Sequence, residues 1–308
     1  MSTPEATTEQ RNWQATNWGR WGEDDERGAL NLLTPEVVQQ AAASITTGKV
    51  YSLGIPIQSQ GVPLMDYRGT PMRLTLQNEL DEGMYADYGC DAGTGAHEDI
   101  LVFASHTTSH MDALCHVYGE SRHYNDFEAS IMKTHTGAQH LGIEKVRAIA
   151  SRAVLFDMVK YFGDEKWVEL GRNITADDLQ GCAAAQGVEL RSGDIALIRT
   201  GYLDMWFESA PDVPFAQAGI GFSAAEWLVS QDIVAVGADN AAVEVVPFDR
   251  NDFLGIHKVL LVGAGIYMLE FLNFAEMSAD ECYEGFMCVS PLVIPGATGC
   301  PINPTLIG

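Results

Sequence analysis

Ser105 to His116 reads SHTTSHMDALCH. Three of the chain's eight histidines and one aspartate fall in this stretch, spaced His106-x3-His110-x-Asp112-x3-His116. Residues four apart share a helix face, and residues two apart share a strand face. Both intervals occur here, so the spacing predicts a strand end turning a corner, where several side chains converge on one point. Two imidazoles and a carboxylate make a borderline-hard set that suits Zn or Mn with positions left open for water. An ion so held lowers the pKa of its water toward roughly 7. His116 is left three roles: completing the set, binding a second ion, or moving protons. The zinc-protease pattern needs Glu after the first histidine, and Thr107 stands there. A lone histidine would be read as an ordinary loop residue; three with an aspartate behind an apolar run are read as ligands.

The apolar run is Asp99 to Ser105, DILVFAS, which predicts a buried strand delivering the cluster at its end. Ala153–Met158, Asp194–Arg199 and Ile233–Gly237 read the same way, and Lys49–Gln58 alternates with Tyr51, Leu53, Ile55 and Ile57 on one side. Thr34 and Pro35 form a cap and first-turn pair for a helix through Ala43, with Gly48 beyond it. Thr175 opens a helix through Ala185 closed at Gly187, and Ser223 with Glu226 reads as a capping box for another. Residues 81–98, rich in Gly and Asp, read as a loop. Strands outnumber helices, which predicts a mixed, sheet-rich α/β fold. No repeat or linker divides the chain, so residues 1–16 are taken as a loose lead-in and 17–308 as a single domain.

Composition narrows the function. Eighteen basic against 42 acidic side chains give a formal charge of −24, a surface that repels nucleic acid and anionic membranes. The most apolar late stretch, Val259 to Ile266, falls far short of the roughly 20 residues of a membrane span. The polar start MSTPEATTEQ has no apolar signal core. Cysteines at 90, 115, 182, 282, 288 and 300 form no CxxC pair, which fits reduced thiols in a cytoplasmic protein.

HTTSHMDALCH resembles the HxGTHxDxPxH signature of the metal-dependent cyclase family, which includes bacterial kynurenine formamidase and isatin hydrolase. His106, His110, Asp112 and His116 match its four metal-type residues; Thr108-Ser109 replaces Gly-Thr, and Leu114 replaces Pro. GEDDERGALNLLTPE (22–36), RAVLFDMVKY (152–161), GDIALIRTGY (193–202), GADNAAVEVVP (237–247) and PLVIPGATGCP (291–301) resemble family segments in family order. The resemblance implies a swivelling β/β/α fold, commonly assembled as a homodimer or homotetramer. It also implies one or two divalent ions, Zn2+ or Mn2+, per subunit, and hydrolysis of a C–N bond in a small, cyclic or aryl amide. A lactone or ester hydrolase, a lyase, and a non-catalytic binder are the rival readings.

On this resemblance His106, His110 and Asp112 hold metal and His116 moves protons. The late segment GIHKVLLVGAGIYMLEFLN (255–273) resembles the family's His-to-Glu segment, implying catalytic roles for His257 and Glu270. Glu270 follows the apolar run IYML, where an unpaired carboxylate is costly. Trp21 and Asn31 fall where relatives place pocket residues and are taken as substrate contacts. His97, His123, His135 and His140 are read as surface or supporting residues, and Cys115 as packing. GAGIYM lacks the third glycine and the acidic residue of a dinucleotide site.

Overall fold

Four strands too apolar to face water on either side stand together at the centre of the molecule. The computed structural model describes residues 13–14, 16–89, 95–209 and 216–308. Nine strands form one sheet: β1 Val50–Ser52, β2 His110–Asp112, β3 Ile149–Asp157, β4 Ile195–Arg199, β5 Ala235–Ala238, β6 Tyr267–Glu270, β7 Glu284–Val289, β8 Gly299–Pro301 and β9 Thr305–Ile307. Their order is β1-β9-β7-β3-β4-β5-β6-β2-β8. β3 to β6 run parallel, and the flanking strands pair antiparallel. Parallel strands are covered on both faces and so carry continuous apolar sequence; Val154, Leu155, Ile195, Leu197, Val236 and Met268 are all fully buried. The connections between them are helical, ending with a π-helical turn at Lys258–Ala264 just before β6. The mixed, sheet-rich α/β expectation holds.

Local signals explain most boundaries. Thr34 accepts the Val37 amide to start the helix Pro35–Ala42. Thr175 and Asp178 form a reciprocal capping box for Ala176–Gln186, and Gly187 closes that helix in the left-handed conformation. The capping box expected at Ser223–Glu226 does not form. The helix starts two residues earlier, at Phe222 with Gly221 as its cap, because the distant Asp249 carboxylate accepts the Phe222 amide at 3.0 Å. Ser223 Oγ instead accepts the Ala176 amide at 3.3 Å.

Two strand expectations change. From Lys49–Gln58 only β1 joins the ladder. Beyond it the Leu53, Gly54 and Ile55 amides donate to the Pro304 carbonyl, the Asn303 side chain and the Ser109 hydroxyl. The alternation survives in burial: Tyr51, Leu53 and Ile55 are inside, while Ile57 is exposed. The run Asp99–Ser105 is not a buried strand. Glu98–Val102 pairs with Met72–Gln77 in a separate ribbon whose Leu74, Leu76 and Leu101 are exposed; apolarity alone does not separate a buried strand from a protruding one. Within the span read as loop, Glu79–Tyr88 coils into 3-10 turns.

Trp13, inside the expected lead-in, is buried, and the Trp18 indole and the Asn17 amide donate to the carbonyls of Val262 and Ala264 at the π-helical turn. No helix among the described residues is long and apolar enough to cross a membrane. Cys115, Cys182, Cys282, Cys288 and Cys300 are free; Cys90 lies outside the described residues.

One buried ion pair holds the sheet away from the site. Arg152 on β3 grips Asp194 through two hydrogen bonds of 3.1 and 2.6 Å and reaches Glu284 on β7 at 2.7 Å. Replacing Arg152 with Met strands the Asp194 carboxylate in the interior. The expected loss is about 3–5 kcal/mol in equilibrium urea unfolding; a loss below about 1 kcal/mol would show that the pair is dispensable.

Candidate metal centre

β2 is short, and alternation along it builds the site. His110 and Asp112 project to one face and Met111 to the other. Glu270, the last residue of β6, stands opposite His110 in the antiparallel register. Opposed residues present their side chains to the same face, and Glu270 Oε2 lies 3.2 Å from His110 Nε2. On the other edge of β2, Gly299 pairs with Asp112. A Cβ at Gly299 would come 2.7 Å from His106 Cε1, so the absent side chain is the space that His106 occupies. His106 Nδ1 lies 2.7 Å from Asp112 Oδ1, and its Nε2 lies 3.0 Å from the Thr298 hydroxyl.

The corner between the histidines is tight. Thr108 has φ +44°, rare for a β-branched residue and easy for glycine, which accounts for the glycine of the family signature at this place. The turn aims the Thr108 carbonyl at His110 Nδ1, 2.8 Å away. That bond places a proton on Nδ1 and leaves Nε2 with its lone pair, 3.6 Å from Asp112 Oδ1.

His257 enters from the helical turn Gly255–His257. Its Nε2 faces Asp112 Oδ2 at 3.7 Å and Glu270 Oε1 at 3.5 Å, and its Nδ1 lies 2.5 Å from Glu244 Oε1. The ligand atoms fall into two buried sets, His106–His110–Asp112 and Asp112–His257–Glu270, each spanning no more than 4.8 Å. Asp112 belongs to both. His110 Nε2, Asp112 Oδ2 and Glu270 Oε2 are buried with no hydrogen-bond partner. Orphaned buried polar atoms are expensive, and divalent cations held by the two sets would satisfy them between them.

The charges are mutually adjusted. Burial alone would push the Asp112 carboxyl up, but His116, His106 and His110 outweigh it and hold it well below the usual carboxylate range. Burial acts on Glu270 in the same sense and is overcome by His110 and His257. His257 is pulled down by burial yet pushed up to about 10 by Glu244 and Glu270. Burial dominates at His116 and pushes it down to about 3, so this imidazole is neutral at physiological pH. Its ring stacks on His106 with centroids 4.0 Å apart. It also lines a cavity of about 550 Å³ with Trp13, Val117, Tyr118, Phe253 and Leu254.

All six residues expected to bind metal or do chemistry therefore meet in one place. The two expected substrate contacts do not join them. The Asn31 amide donates within its own loop, to Asp25 Oδ1 at 2.7 Å and the Gly28 carbonyl at 3.0 Å. The Trp21 ring is covered by the Arg20 guanidinium, 4.8 Å from its centroid. Sequence reasoning missed Glu244 and Thr298. Glu244 carried the same signal as Glu270, a carboxylate inside an apolar run between Val243 and Val245-Val246; Thr298 carried none. Of the scattered histidines, His123 is buried with Nδ1 on the Val117 carbonyl, and His140 stacks on Phe127 beside Glu26. Burial pushes the Cys115 thiol up to about 12, which fits packing.

A parallel sheet extended by β2, whose His110 and Asp112 meet the late His257 and Glu270, defines a mixed α/β protein with a candidate metal site. The chain belongs to the cyclase family: the family model described as "Putative cyclase" matches residues 17–245. A crystal structure described as a novel cyclase superposes with a TM-score of 0.84, at 33% identity over 95% of this chain and 97% of that one. A predicted metal-dependent hydrolase from Bacillus stearothermophilus gives a TM-score of 0.53 at 23% identity, covering 84% of this chain and 97% of that one. An isatin hydrolase bound to the product analogue thioisatinate gives 0.61 at 16% identity, covering 89% and 98%. These last two share the fold. None of the curated proteins matches the chain.

The Gly299 contact supplies a direct test. Gly299→Ala is expected to displace His106 and weaken Zn2+ binding by about tenfold or more, read by titrating metal-free protein. An unchanged affinity would mean that His106 does not depend on that space.

Proposed function

We propose that the chain is a metal-dependent hydrolase of a small amide, cleaving a C–N bond. The observation that carries this reading is the convergence of three partnerless buried atoms, His110 Nε2, Asp112 Oδ2 and Glu270 Oε2, in two ligand sets that share Asp112. In this reading His106, His110 and Asp112 hold one divalent ion, Zn2+ or Mn2+, and Asp112, His257 and Glu270 offer a place for a second. His257 then serves as a ligand, where the family resemblance implied a catalytic role for it. A divalent ion there polarises a carbonyl and lowers the pKa of water toward roughly 7.

The chain's own residues supply the rest. His116, neutral and facing the cavity, takes a proton from the attacking water as the new C–O bond forms. It returns that proton to the nitrogen as the C–N bond breaks, giving a carboxylic acid and an amine. An amine leaves only when protonated, so the proton that His116 takes from water is the one that would let the C–N bond break. The cavity wall, part aromatic and part charged, has room for a small organic substrate. A cytoplasmic setting and assembly into a homodimer or homotetramer remain part of the proposal.

Chelation is expected to abolish turnover of a panel containing N-formylkynurenine, isatin and simple lactones, with Zn2+ or Mn2+ restoring it. Turnover indifferent to chelation would overturn the reading. His116→Ala should keep the wild-type metal content and lose about 10²–10⁴ in kcat; wild-type kcat in that variant would remove His116 from the chemistry.

A further inference from the structure

Glu244 is a carboxylate with no obvious reason to be where it is. It is buried, in a run whose neighbours Val243, Val245 and Val246 are themselves buried, and an unpaired carboxylate there would be strongly disfavoured. Its Oε1 lies 2.5 Å from His257 Nδ1. Oε2 accepts the Ile256 amide at 3.3 Å, and Oε1 receives the His257 amide at 3.5 Å. The carboxylate therefore grips both the ring and the backbone of the short turn that presents His257. From the far side of the same ring, Nε2 faces the oxygens of Asp112 and Glu270. A carboxylate that keeps the Nδ1 proton in place leaves Nε2 as the nitrogen that can give up its proton and turn its lone pair to a cation.

We infer that Glu244 is a positioning residue for the second ion site: it fixes the tautomer and orientation of His257, so that Nε2 is presented beside Asp112 and Glu270. This rests on the two-ion reading above. Glu244 comes from the loop after β5 and His257 from the turn before the π-helical segment, so the ligand's orientation is set by a second stretch of chain and not by its own turn. His106 and His110 have other anchors, Thr298 and the Thr108 carbonyl. Loss of Glu244 should therefore act on one ion site and spare the other.

The test is Zn2+ titration of metal-free wild-type protein and Glu244→Gln, with bound zinc counted after gel filtration and metal-free melting curves recorded in parallel. Gln preserves volume but not function. Its amide NH2 must face either His257 Nδ1–H or the Ile256 N–H, both donors. The expected result is two zinc ions in the wild type. In the variant the tighter site is unchanged and the second is weakened by about 10–100-fold. Glu244→Ala should do the same or worse; if it fails to fold, the Gln variant carries the test alone. Two wild-type affinities in Glu244→Gln overturn the inference, even if its metal-free melting temperature falls, because Glu244 is then only a brace for the turn. A single zinc in both proteins also overturns it while leaving a one-ion hydrolase standing. No zinc in the wild type removes the hydrolase reading itself.

Discussion

Two carboxylates with almost no access to water, Asp112 and Glu270, face two ring nitrogens, His110 Nε2 and His257 Nε2, across gaps of 3.2 to 3.7 Å. Burying even one uncompensated charge can cost several kcal/mol, so this concentration must be balanced from within. The imidazoles do part of that work, as their opposing influences on one another's protonation indicate. Yet atoms on both carboxylates and on His110 still lack a hydrogen-bonding partner. A cluster assembled purely for stability would close its hydrogen bonds; this one leaves its lone pairs aimed at common points. That distinction separates a cation site from a structural polar network.

The sheet makes the concentration affordable by placing the cluster at the carboxyl end of β6 and on the strand beside it. In sheets with parallel strands, ligands gather outside the carboxyl ends. Here β2 is added antiparallel to that edge, so a sequence remote from β6 contributes His110 opposite Glu270. β8 closes the other side with Gly299, whose hydrogen is the only side chain that leaves His106 its place. β2 thus meets two segments, β6 and β8, that lie more than a hundred residues further along the chain, and the sheet register aligns all three.

Much of this was legible in the chain. The His-x3-His-x-Asp pattern announces convergence because two periodicities are interleaved, and Glu270 is conspicuous as a charge after IYML. The central strands are readable because strands covered on both faces have uninterrupted apolar sequence. What failed has a common cause. DILVFAS looked like core because a protruding apolar ribbon and a buried strand share a composition. The Ser223 box looked complete because the local pattern cannot reveal that Asp249 would reach in to cap the helix first. Local pattern identifies which groups must find partners; tertiary contacts decide which partner arrives.

Register also explains why so short a strand can carry so much. β2 has three residues, and a slip of one position would turn His110 and Asp112 to the far face and present Met111 in their place. Nothing in three residues of ladder is strong enough to forbid that slip. The chemistry itself supplies the missing specificity: Met111 in the cluster would leave Glu270 and His257 without their counter-groups, while His110 and Asp112 would be thrust among fully buried apolar side chains. Ile302 N–H on the Ser109 carbonyl and Ala113 N–H on the Thr298 carbonyl clamp both ends of the strand in the productive register. The site and the fold therefore specify each other at this edge, since the arrangement that satisfies the buried charges is the one that completes the sheet.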